Sequence, residues 1–221
     1  MKRRFSLLAG LVAVVCSEVS LALAHWHHEW HPYDSWHQGR RYGGAQASQG
    51  PVFPAQDALP NPRLTPGALN PNVTQANLDE TVCRPGGYTR SIRPPEDYTE
   101  KLKREQIRQY GYVRQVGDQA YRMGDYEEDH YLSLSLGGSP SDPKNLWPEP
   151  HNVQGGWGSY AKDRLEFKLH DLLCSHQITL AQAQGLIATN WVDAYKRLIG
   201  PTPDNTPMDE SQFHHSSYRH Y

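Results

Sequence analysis

Apolar positions recur with a helix-like or strand-like rhythm only between about residues 98 and 198. Tyr98, Leu102, Ile107 and Tyr110 share one side of a helical repeat and predict a helix over 98–110, which Gly111 ends. Asp97, three residues before Glu100, offers that helix a capping-box-like start. Two short strands are expected over 112–116 and 119–123, around a Gly117-Asp118 turn. A longer hairpin is expected next. Its first strand ends at Asp129-His130, and a period-two run (Leu132, Leu134, Leu136) leads to Gly137-Gly138. Asn145-Leu146-Trp147 returns the chain, and Pro148 and Pro150 are expected to stop the second strand. Leu165, Leu169, Leu172 and Leu173 then predict a helix over 160–174. Ile187, Trp191, Ala194 and Leu198 predict a last helix, begun by a Thr179/Gln182 capping box and stopped at Gly200-Pro201. The fold class this implies is α+β: a hairpin-plus-helix core with one preceding helix and a C-terminal helix.

The flanks lack that rhythm. Lys2, Arg3 and Arg4 followed by an apolar run and Ala22-Leu23-Ala24 read as a signal peptide over 1–24, cleaved before His25. Residues 25–72 read as a disordered linker, first rich in His and Trp (HWHHEWHPYDSWHQ) and then in Gly, Pro and Gln. The ordered domain is expected over 73–200. The tail 201–221, with His214, His215 and His220, reads as disordered. A hydrophobic share of 37% and a mean hydropathy of -0.76 agree with a chain of 221 residues that is only partly packed.

Export changes the reading of the cysteines. Without the signal, Cys83 and Cys174 remain, either as one bridge or as two buried thiols. A formal net charge of -2 excludes a uniformly basic coat for nucleic acid. Locally the balance differs: between Arg84 and Arg122 basic residues outnumber acidic ones nine to five. Such a surplus is either a solvated helix face or a phosphate-steering face.

The residues Glu127, Asp129, His130, Gly137, Gly138, Asn145 and Leu146, in the string EEDHYLSLSLGG and then NLWPEP, resemble the HNH nuclease family and exported bacterial proteins that are HNH-like. The likeness spans about 80–198. It implies a ββα-metal unit and an endonuclease acting on DNA, or RNA, in the periplasm or as a secreted protein, with no stable membrane association after signal cleavage. It also implies His130 as general base and Asp129 as ligand of a divalent ion, Mg²⁺ or alternatively Mn²⁺ or Zn²⁺. Asn145 would orient His130 through backbone hydrogen bonds.

The family's further ligand, carried on the helix, has no direct counterpart in this chain. Asp163, in the first turn, is the first substitute, favoured there by the helix dipole. Glu166 and His170, four residues apart, are a second pair, with His151 and Asn152 behind them, and Lys162 is placed to contact phosphate. Glu127 is either support for the site or a cross-strand ion-pair partner. The alternative function is a non-catalytic envelope or extracellular binding protein on the same scaffold.

Overall fold

The computed structural model describes residues 50–112, 115–116, 119–120 and 122–208. The signal peptide, the His/Trp-rich stretch, the first part of the linker, the Gly117-Asp118 turn and the end of the tail lie outside them. The architecture is mixed α and β. In chain order it comprises α1 (Tyr88–Ile92), α2 (Glu96–Gln109), β1 (Gln115–Val116), β2 (Gln119–Ala120), β3 (Tyr126–His130), β4 (Leu146–Pro150), α3 (Ser159–Cys174) and α4 (Leu180–Leu198). β1 pairs with β2 and β3 with β4, both antiparallel. No helix among the described residues is long and apolar enough to cross a membrane.

The core lies where α3 and α4 pack together. Leu165, Leu169 and Leu173 meet Ile187, Trp191 and Ala194, all fully buried. Each such leucine contributes about 1.5–3 kcal/mol of burial. α4 begins with the expected capping box, Thr179 Oγ1 accepting from Gln182 N–H and Gln182 Oε1 accepting from Thr179 N–H. Thr179→Ala should therefore lower stability by about 1 kcal/mol in urea unfolding; an unchanged midpoint would show the cap to be idle. α4 bends at Asn190, whose side chain caps the following turn at Asp193. Cys83 and Cys174 form a disulfide that joins the segment before α1 to the end of α3.

Three expectations need correction. α2 starts at Glu96 behind Pro95, and Asp97 accepts only from the N–H of Tyr98, so the predicted capping box does not form. The run Leu132–Leu136 is no strand: after His130 the chain enters a loop with a 3₁₀ turn at Leu134–Leu136, and the second strand is 146–150, prolines included. Prolines are tolerated there because Tyr131 N–H donates to Asn145 O and His151 N–H to Asp125 O. The alternate pairs Glu128–Pro148 and Tyr126–Pro150 are thus the ones that exchange no hydrogen bonds.

The ordered unit also extends further than 73–200. Phe53 is fully buried, Trp191 Nε1 donates to Ala58 O, and Thr65 Oγ1 donates to Leu146 O. Backbone bonds Gly67 N–H to Lys144 O, Asn70 N–H to Gly137 O and Ser139 N–H to Ala68 O strap this segment over the hairpin loop. At the other end, Asn205 bridges Ala161 N–H and His151 O, and Asp204 pairs with Arg164. Apart from Phe53 and Trp191, these contacts run through backbone and short polar groups, so they leave no apolar period in the sequence.

Candidate functional site

The β3–β4 register places Glu127 opposite Glu149 and Asp129 opposite Trp147. The first turns of α3 bring Lys162 and Glu166 to this face. Lys162 is completely buried. Its ammonium donates to Asp129 Oδ2, to Glu166 Oε1 and, at 3.1 Å, to His130 O, with Glu149 Oε2 at 3.6 Å. All three of its protons are engaged. Burial by itself would lower the Lys162 pKa. The charges of Asp129 and Glu166, to which it donates, outweigh it and hold the pKa well above the usual lysine value.

The carboxyl groups divide their roles. Burial pushes Glu149 well above the usual carboxylate range. Glu149 is 2% exposed, and if ionised neither of its oxygens would have a hydrogen-bond donor. Asp129 stays ionised beside Lys162 against the pull of burial. Burial also raises Glu127 and Glu166, each to about 7, and they titrate as members of one group. Asp129 and Glu166 form the accessible edge, with 22% and 14% of their side chains exposed.

Arg93, half-buried between α1 and Pro94, completes the cluster. Burial lowers its pKa, and Asp129, Glu166, Asp163 and Glu127 oppose that. Two cations, Lys162 and Arg93, thus stand among the carboxyl groups of Asp129, Glu127, Glu149, Asp163 and Glu166.

His130 ends β3 and is 3% exposed. Its Nε2 lies 2.8 Å from Pro140 O. A carbonyl only accepts, so Nε2 carries the proton and Nδ1 keeps its lone pair. Burial, opposed by Asp129 and assisted by Arg93 and Lys162, lowers its pKa to about 4, so the ring is neutral at ordinary pH.

The Pro140 carbonyl is held by the loop. Asn145, fully buried, accepts from Leu132 N–H and donates to Leu132 O and Ser139 O, each at 2.9 Å. Gly138 allows the close crossing: a Cβ there would lie 1.7 Å from Leu132 O.

The structure brings Asp129, His130, Asn145, Lys162, Glu166 and Glu127 to one region but changes some roles. Lys162 has no face for phosphate; it is the buried centre of the cluster. Asp163 is half-buried and within the field of Arg93, while Glu166 is the helix carboxylate that joins Asp129. His170 has other partners. It pairs with Val82 O at 2.9 Å and lies 3.3 Å from Cys174 Sγ. His151 bonds Ser159 Oγ at 2.8 Å, and the carbonyl of Asn152 accepts from Phe53 N–H.

Glu149 and Arg93 were missed as site residues. The charge count included Arg93, but only the fold turns it toward Asp129. Glu149 would have emerged from pairing NLWPEP with YEEDH in register.

Among the described residues, Cys83, His170 and Cys174 form the group of three whose ligand atoms lie within 4.8 Å of one another, a set that could hold a metal ion. Its sulfurs are joined in the disulfide, so ligation there would require reduction. Comparison with family models, with curated proteins and with solved structures finds no match for this chain.

Proposed function

We propose that the chain is an exported, HNH-like nuclease that hydrolyses phosphodiester bonds in DNA, or in RNA, from a ββα unit made of β3, β4 and α3. The observation that carries this reading is the His130 ring, neutral and with its proton committed to Pro140 O. Nδ1 is then a base ready to take a proton from water. The hydroxide so formed adds to phosphorus, the bond to the departing sugar oxygen breaks, and that oxygen leaves with a proton from solvent. The Arg93 guanidinium is the group suited to balance charge on the phosphate.

The resemblance implies a divalent ion held at Asp129. The donors are of the right kind, hard oxygens from Asp129, Glu166 and Glu149. Their centre, however, is filled by the Lys162 ammonium. An ion bound at about 2.0–2.1 Å from Asp129 Oδ2 would contend with the proton that oxygen already accepts. Such an ion does not fit beside Lys162.

The test is hydrolysis of plasmid DNA and of a labelled RNA by the oxidised mature chain. His130→Ala should lower the rate by at least about 100-fold with circular dichroism unchanged. Because folding holds the His130 pKa near 4 and not near 6.5, the acid limb of the rate should fall near pH 4. Equal rates for wild type and His130→Ala would remove the base assignment. The burial of His130 favours a second reading, a non-catalytic binding protein on this scaffold. That reading expects no hydrolysis of either substrate by the folded wild type.

A further inference from the structure

We propose that Lys162 is the resident cation of the Asp129–Glu149–Glu166 cluster, filling a seat that takes a divalent ion only when the ammonium is removed, so that hydrolysis at this site needs no metal. The metal-free activity rests on the nuclease reading above; the occupancy of the seat does not.

Three features support it. The Lys162 side chain has no exposed surface, so the ammonium is not a mobile surface charge that an ion could displace at little cost. It donates to two carboxylates from different elements, β3 and α3, and to the carbonyl of His130. That set of acceptors is also what a hard cation would take, in the same place. A third carboxyl group faces the same ammonium, because Glu149, buried and without a hydrogen-bond donor of its own, has Oε2 3.6 Å from Lys162 Nζ. An added divalent ion would have to displace the ammonium.

The consequence concerns positioning. Lys162 touches no substrate; it holds Asp129 and the end of β3 in place from behind, through the bond to His130 O, and so fixes the backbone that carries the base. A built-in ammonium does this at any metal concentration, whereas a bound ion would make the geometry depend on supply.

The experiment counts bound Mn²⁺ by electron paramagnetic resonance on the oxidised mature chain, comparing wild type, Asp129→Asn, Lys162→Ala and Lys162→Ala/Glu166→Gln. Differences between variants cancel any ion held by the His-rich N-terminal stretch. Wild type and Asp129→Asn should bind the same amount. Lys162→Ala should gain one Mn²⁺ per chain, and the double variant should lose it again.

Wild-type hydrolysis should be unchanged by EDTA. Mn²⁺ bound by wild type and lost in Asp129→Asn would overturn the proposal, as would a folded Lys162→Ala that gains none or hydrolysis abolished by EDTA. Should Lys162→Ala not fold, the comparison of wild type with Asp129→Asn still decides. A wild type that hydrolyses nothing, with or without metal, ends the nuclease reading, while the Mn²⁺ count separately decides who occupies the seat.

Discussion

Asn145→Ala should destabilise the domain by about 4 kcal/mol and lower its hydrolytic rate even where the protein remains folded. The side chain is fully buried and closes three hydrogen bonds inside the hairpin loop. Alanine supplies none of them. The Leu132 N–H and the two carbonyls lose their partner in a place with little room for water, at roughly 1–3 kcal/mol for each group left unpaired. The loss is also local to the chemistry. Ser139 O, which Asn145 holds, is one residue from Pro140, whose carbonyl fixes the tautomer of His130. A relaxed loop frees Nε2 to lose its proton in favour of Nδ1, and the base then points the wrong lone pair. Urea unfolding gives the first effect. The second is read as a fall in kcat at temperatures where circular dichroism shows full folding. A folded variant with wild-type kcat would mean that the loop does not orient His130.

What could be read from the sequence follows the range of the interactions. α3 and α4 were legible because their signals are local: leucines at helical spacing, Thr179 with Gln182, Gly200-Pro201 after the end. The cysteine bridge was one of two readings open to Cys83 and Cys174, resting on a count and on an expected export. The hairpin was half legible. Its first strand, its Asp129-His130 ending and its Asn145 were readable, but the apolar run 132–136 mimicked a strand and two prolines mimicked a stop. Whether a proline breaks a ladder depends on which partner it faces, and that register is set by tertiary contacts.

The site suffered the same fate. Lys162 and Glu166 are four residues apart and look like an exposed helix pair. Their burial appears only when β3 and β4 bring Asp129 and Glu149 against them. The strap over 50–72 had no signal in hydrophobic period, because its grip is mostly backbone on backbone.

Glu128→Gln should stabilise the domain, and by an amount that grows with pH. Glu128 lies in β3 opposite Pro148, is 6% exposed, and neither carboxyl oxygen has a hydrogen-bond partner. Burial, opposed by Lys103 and reinforced by Asp129 and Glu100, raises its pKa from 4.5 to about 9. Below pH 4.5 the group is protonated in both the folded and the unfolded chain, and its full contribution to stability is present. Between there and about 9 the folded state retains a proton that the unfolded state releases, so stability falls as pH rises, by about 1.4 kcal/mol per unit.

Glutamine has the shape of the protonated acid and nothing to release. The variant and the wild type should therefore unfold at similar urea concentrations near pH 5 and diverge toward pH 8, where the variant leads by roughly 4 kcal/mol. Lys103, buried on α2 and 3.7 Å from Glu100, provides the contrary case. If Glu128 were ionised as the partner of Lys103, removing its charge would weaken the fold at neutral pH, and the two curves would separate in the opposite direction. A carboxyl group that costs stability at neutral pH, one residue from Asp129, is the kind of burden a strand carries when its neighbours serve a site.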